Sequence, residues 1–214
     1  MKKVSLALWL LLVLGGVGIE RQHNANFAVL SGQQRERADV LLDVLGEFRT
    51  VMARYLWFKM DLFHEVLDDQ GVASEQQTEV IPLLRMVSLL DPSMTDAFDI
   101  IAWDLYKGHR QTEQALKILD DGIARNQKSF TLYFRRALIL YQAERYSEAL
   151  PSALRAVELA QGEFDILNAN RLLYWTASKT GDRELAIASL DVLLALRPQE
   201  KLWQTKRAEL ETQP

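Results

Sequence analysis

The sequence predicts an all-α chain, arranged as a solenoid of helical hairpins, and three observations carry that expectation. From Arg35 onward apolar residues recur every three or four positions, as in "RADVLLDVLGEFRTVMARYLWFKMDLFHEVL". The period-two alternation of a half-buried strand never persists. Similar phrases return at close to a fixed interval: "VIPLLRMVSLLDP" from Val80, "ALKILDDGI" from Ala115, "ALPSALRAV" from Ala149 and "AIASLDVLL" from Ala186, at steps of 35, 34 and 37 residues. Prolines punctuate rather than interrupt. Pro92, Pro198 and Pro214 follow or end helical runs, while Pro82 and Pro151 fall within the first turn or so of theirs, where a missing N–H costs little.

The elements follow in order. Residues 1–21, "MKKVSLALWLLLVLGGVGIER", hold Lys2 and Lys3 and then an uncharged run from Val4 to Ile19. Sixteen residues at helical rise span roughly 24 Å, a little short of the ~30 Å hydrocarbon core of a bilayer. The segment therefore reads either as a retained transmembrane anchor or as a signal peptide with Gly16 and Gly18 near its cleavage site. The lysines keep the short end inside. The expected location is a bacterial-type inner membrane with the remainder on the periplasmic side, or secretion if the segment is cleaved. Residues 22–34 are polar, include Ser31-Gly32, and read as a linker.

Residues 35–93 read as N-terminal helices and a degenerate first repeat, with a helix around Trp57–Leu67 and a long hinge from Asp68 to Thr78. Trp57, Met60 and Phe63 share one face of that helix and are expected in its core, with membrane contact as the other option. Residues 94–198 hold three fuller repeats. Their first helices are expected at Asp96–Tyr106, Thr131–Tyr141 and Ile166–Lys179, and their second helices end alike in "IARNQ", "VELAQ" and "LALRP". Residues 199–214 include "EKLWQTKRAELETQ", an amphipathic stretch with Leu202, Trp203 and Leu210 that suits a capping helix.

These repeats carry a resemblance. In the unit opening at Phe130, Tyr133 matches the first aromatic of a tetratricopeptide repeat, Ala137 its small helix-contact site, and Ala149 and Ala156 its second-helix alanines; Tyr141 falls one place late. Phe98, Ala102, Ala115 and Gly122 fit the preceding unit, with one extra residue in the hinge. Gly181, Ala186 and Pro198 fit the last one, although Tyr174 stands where a small residue is expected. The region from about Phe48 to Pro198 thus resembles a tetratricopeptide-repeat protein.

The resemblance implies a concave face lined by the first helix of each pair. By register it would present Asp99, Trp103, Tyr106 and Lys107, then Phe134, Leu138, Tyr141 and Gln142, then Asn168, Arg171, Trp175, Ser178 and Lys179. Trp103, Leu138 and Trp175 fall at equivalent places, giving a row flanked by Lys107, Arg171 and Lys179 that would suit an extended or helical peptide of some acidic character. The same aromatics could instead pack against neighbouring repeats or the Arg35–Arg49 segment. The lysine and asparagine clamp for a terminal carboxylate is not reproduced.

Composition excludes several functions. Of 214 residues, 49% are hydrophobic and 25% charged, which is enough to bury a core. A net charge of −4 speaks against a nucleic-acid partner, and the absence of cysteine removes disulfides, thiolate metal sites and cysteine nucleophiles. No phosphate loop, nucleophile elbow or His-Glu-x-x-His occurs. The nearest thing to a metal or catalytic cluster is Asp61, His64 and Asp68 at helical spacing, which reads first as a polar helix face. The expected function is a membrane-tethered, non-enzymatic adaptor with no cofactor, metal or small-molecule substrate, serving as an assembly factor or accessory subunit of a membrane or envelope complex. The alternatives are a permanent structural subunit without a groove, and a metal binder or enzyme using Asp61, His64 and Asp68.

Overall fold

The computed structural model describes residue 46, residues 48–69 and residues 80–212. Those residues form α1 (Phe48–Asp69), α2 (Val80–Leu90), α3 (Thr95–Lys107), α4 (Thr112–Arg125), α5 (Phe130–Gln142), α6 (Tyr146–Leu159), α7 (Gly162–Thr180), α8 (Arg183–Leu196) and α9 (Lys201–Thr212). No strand occurs among them. The anchor or signal segment, the linker, most of the Arg35–Arg49 run and the hinge from 70 to 78 lie outside the described residues. Among the described residues no helix is long and apolar enough to cross a membrane.

Consecutive helices pair into hairpins, α1 with α2, α3 with α4, α5 with α6 and α7 with α8; α9 lies on α8. Successive hairpins join because each second helix packs on the first helix of the next, α2 on α3, α4 on α5 and α6 on α7. The first helices α3, α5 and α7 also touch one another in series. This is nearest-neighbour stacking, in which no hairpin covers its own apolar face and each relies on the next.

Small residues set the approach of the helices. Ala102, Ala115, Ala137, Ala149, Ala156, Ala177 and Ala186 are all fully buried, on the paired helices of the three hairpins. Gly122 on α4 is the tightest position: a Cβ there would lie 2.9 Å from Phe98 Cγ of its own hairpin and 3.1 Å from Leu132 Cδ1 of the next. A helical glycine costs about 1 kcal/mol of propensity relative to alanine, so its presence reflects space that no side chain can share.

The three described turns inside hairpins follow one plan. Arg145 N–H donates to Leu140 O at 2.9 Å and Asp182 N–H to Ala177 O at 2.9 Å, each just after a left-handed residue, Glu144 (φ 61°) and Gly181 (φ 79°). In the third turn Arg110 (φ 55°) takes that role and Gln111 N–H reaches one residue further, to Leu105 O at 2.8 Å. The extra hinge residue read from the sequence is accommodated there.

Three expectations need correction. Helix α7 begins at Gly162, four residues before Ile166, after an extended Gln161. Pro151 is the sixth residue of α6, beyond the first turn, and sits on its exposed side, where water can serve the carbonyl it leaves unpaired. Leu202 is exposed, so Trp203 and the half-buried Leu210 attach α9 without it. The oversized Tyr174 finds its place at this end: it is buried with its ring 5.9 Å from that of Trp203. Arg183 Nη2 donates to Leu210 O at 2.6 Å and Arg207 Nε to Asp191 Oδ1 at 2.8 Å, fixing the last helix further.

Two substitutions test this packing. Gly122→Val should lower unfolding free energy by about 2 kcal/mol or more through overpacking, measured by urea denaturation with circular dichroism. Trp203→Ala should cost about 3 kcal/mol and raise amide exchange first in α9, read by hydrogen–deuterium exchange.

Candidate functional site

The side-by-side contact of α3, α5 and α7 makes one continuous face of first helices, and its chemistry is built from helix spacing. Asp99 and Trp103 stand one turn apart on α3. Arg135 of α5 answers both: Nε donates to Asp99 Oδ1 at 2.6 Å, Nη2 donates to Oδ2 at 2.8 Å, and the guanidinium lies 4.4 Å from the centre of the Trp103 ring. A forked guanidinium matched to a carboxylate and laid on an indole is an arrangement lysine cannot make. Both charged side chains are largely covered, at 22% and 13% exposure, so this clip fixes the spacing of α3 and α5 in a partly dry environment.

At the C-terminal end of α3, Tyr106 lies tilted on Trp103 with ring centres 6.1 Å apart, and the exposed Lys107 places Nζ 5.3 Å from both rings. On α5, Phe134 stacks on Phe130 at 5.5 Å, and Leu138 packs with Phe134 and Tyr141 against Leu172 and Leu173. Tyr141 meets Tyr146 of α6 at 5.4 Å. Burial first, and then the neighbouring Tyr146, push the Tyr141 phenol above its ordinary range, so it remains a neutral hydroxyl through physiological pH. Lys179 of α7 reaches to 5.8 Å from the Tyr146 ring.

On α7 the exposed Arg171 donates from Nη2 to Asn168 Oδ1 at 2.9 Å. Trp175 lies 4.7 Å from Tyr174 and 6.3 Å from Trp203, in the cluster that seats the capping helix. Trp103, Leu138 and Trp175 are thus all half-buried, and each belongs to a different packed cluster. Their inner edges serve the fold and their outer edges stay open. Gln142 and Ser178 are exposed.

Sequence reading passed over Arg135 and Tyr146. Arg135 could have been found: it stands three residues before Leu138 and seven before Gln142, on the same side of α5. Of the alternative cluster, Asp61 is exposed, and the side chains of His64 and Asp68 lie outside the described residues. Among the described residues no group of three or more His, Asp or Glu is placed to hold a metal ion.

No protein-family model matches the chain, and no curated protein does. Among solved structures the chain is similar to one described as "MamA RS-1 ArsTM double mutant", with a TM-score of 0.54 and 17% identity over 71% of this chain and 83% of that one. At that identity the likeness speaks for the fold alone. Together with the hairpin stacking it defines a tetratricopeptide-like helical array.

Asp99→Asn should lower stability by about 2 kcal/mol, because Arg135 then keeps a covered charge with half its partner. In that background Arg135→Met should cost less than it does alone, since the pair acts as a unit; a double-mutant cycle in urea measures both.

Proposed function

We propose that this chain is a non-catalytic protein-interaction scaffold whose α3, α5 and α7 face receives an extended or helical segment of a partner protein. The observation that carries the reading is the composition of that face. Half-buried aromatic rings are edged by the exposed cations Lys107, Arg171 and Lys179, while the nearby Asp99 carboxylate is already matched by Arg135. Rings that cannot collapse further, beside uncommitted positive charge, favour a partner segment with apolar anchors and acidic flanks.

The tether belongs to the same proposal. Residues 1–21 would hold the array at a membrane, with Lys2 and Lys3 inside and the repeats outside. Confinement raises effective concentration, so a groove of modest affinity suffices to organise an envelope or membrane complex as an assembly factor or accessory subunit.

One observation favours a second reading, that of a permanent structural subunit with no groove. Trp175 is held by Tyr174 and Trp203, and Trp103 by Arg135, so part of the row is already in use.

The two readings separate in one experiment. The full chain, solubilised in mild detergent, is used to capture partners for mass spectrometry, beside Lys107→Glu/Arg171→Glu/Lys179→Glu. Because all three positions are exposed, the triple variant should keep its fold, which circular dichroism checks. The groove reading expects partner recovery to fall about tenfold or more and to weaken with added salt; recovery unchanged by the triple substitution discards it in favour of the structural subunit.

A further inference from the structure

Helix α1 is the first described element of the array, and its two sides differ. One side is packed: Ala53 and Met60 are buried, and Met52, Leu56 and Trp57 are half-buried against the core that α1 shares with α2. The other carries Phe48, Val51, Tyr55, Phe58 and Leu62, each between 45% and 62% exposed. Five large apolar side chains on one exposed stripe are more than scattered surface residues explain.

Their spacing is informative. Steps of three, four, three and four residues average 3.5, the interval that keeps one seam facing a second helix as the two wind together. Beside it lie the exposed Arg54 and Asp61, seven residues apart on one flank, with Met52 and the exposed Lys59 on the other.

We propose that the chain pairs with a second copy of itself along this stripe, with the two α1 helices antiparallel. Charge selects both the direction and the register. With Tyr55 of one copy over Phe58 of the other, and Val51 over Leu62, Arg54 of each copy lies beside Asp61 of the other, and the two-fold axis makes that contact twice. On the opposite flank Lys59 meets Met52, so no like charges face. Sliding by one layer, to set Val51 over Tyr55, brings Arg54 against Arg54. A parallel pair brings Arg54 beside Lys59. In the first arrangement the four central layers are apolar, Phe48 falls opposite the exposed Glu65 at each end, and of the three it alone is complementary along its edge; it has the self-complementary form of a two-fold interface. The stripe takes no residue from α3, α5 or α7, so the pair would present two such faces and add avidity for a repeated partner.

The test uses the full chain in mild detergent, by sedimentation velocity across a concentration series, with circular dichroism as the folding control. The unaltered chain should reach a dimer. Arg54→Asp should weaken dimerisation about tenfold, as two attractive contacts become repulsive, and Arg54→Asp/Asp61→Arg should restore it. The chain has no cysteine of its own, so orientation is directly readable: an equal mixture of Arg54→Cys and Asp61→Cys chains should cross-link between the two species, and neither alone should do so comparably. A chain that stays monomeric at every concentration, as when its own residues 1–45 or a foreign protein cover the stripe, overturns the proposal. A dimer indifferent to the charge exchange, or one that cross-links best through Arg54→Cys alone, overturns it equally.

Discussion

The structure rests on the close approach of helix backbones at small residues. A hairpin here has an apolar flank on both sides, and pairing two helices covers only part of it. Gly122 shows how the deficit is met, since any Cβ there would run into Phe98 from its own hairpin and Leu132 from the next. The same position therefore closes one hairpin and docks another. A bulky residue there would separate three helices at once, and the contact of α3 with α5 that forms the open face depends on that separation staying small.

Polar contacts then read the same interval. Asn126 Nδ2 donates to Pro92 O at 2.7 Å across 34 residues, tying the loop after one second helix to the loop after the previous one. Arg135 reaches Asp99 across 36 residues between successive first helices. Arg145 reaches Glu113 across 32 residues between successive second helices, an exposed pair of small energetic weight. These bonds add direction to a hydrophobic attraction that has none. The covered Asp99–Arg135 clip also places the guanidinium 4.4 Å from the centre of the Trp103 ring, which restricts how that side chain can turn.

A linear array has two ends, and each end exposes an apolar flank. At the C-terminal end Tyr174, Trp175 and Trp203 solve this with rings 4.7 to 6.3 Å apart under α9. The large Tyr174 is tolerated because a short capping helix, rather than another full hairpin, covers it. At the other end α1 keeps an apolar stripe in the open.

Helical periodicity, the recurring phrases and the alanines at Ala102, Ala115, Ala137, Ala149, Ala156 and Ala186 sufficed to lay out the hairpins, because those signals are local and the contacts they make are periodic. Turn chemistry was less legible, since Arg110 and Glu144 occupy left-handed positions that glycine usually marks and only Gly181 announces. The open face was legible as a set of register positions and not as a surface. Whether Trp175 faces a groove or supports Trp203 depends on a helix beginning at Lys201, and whether Asp99 offers charge to a partner depends on Arg135, a repeat away. Spacing within a helix fixes which side chains share a side; what lies across from that side is set by elements distant in the chain, and there the tertiary structure alone decides.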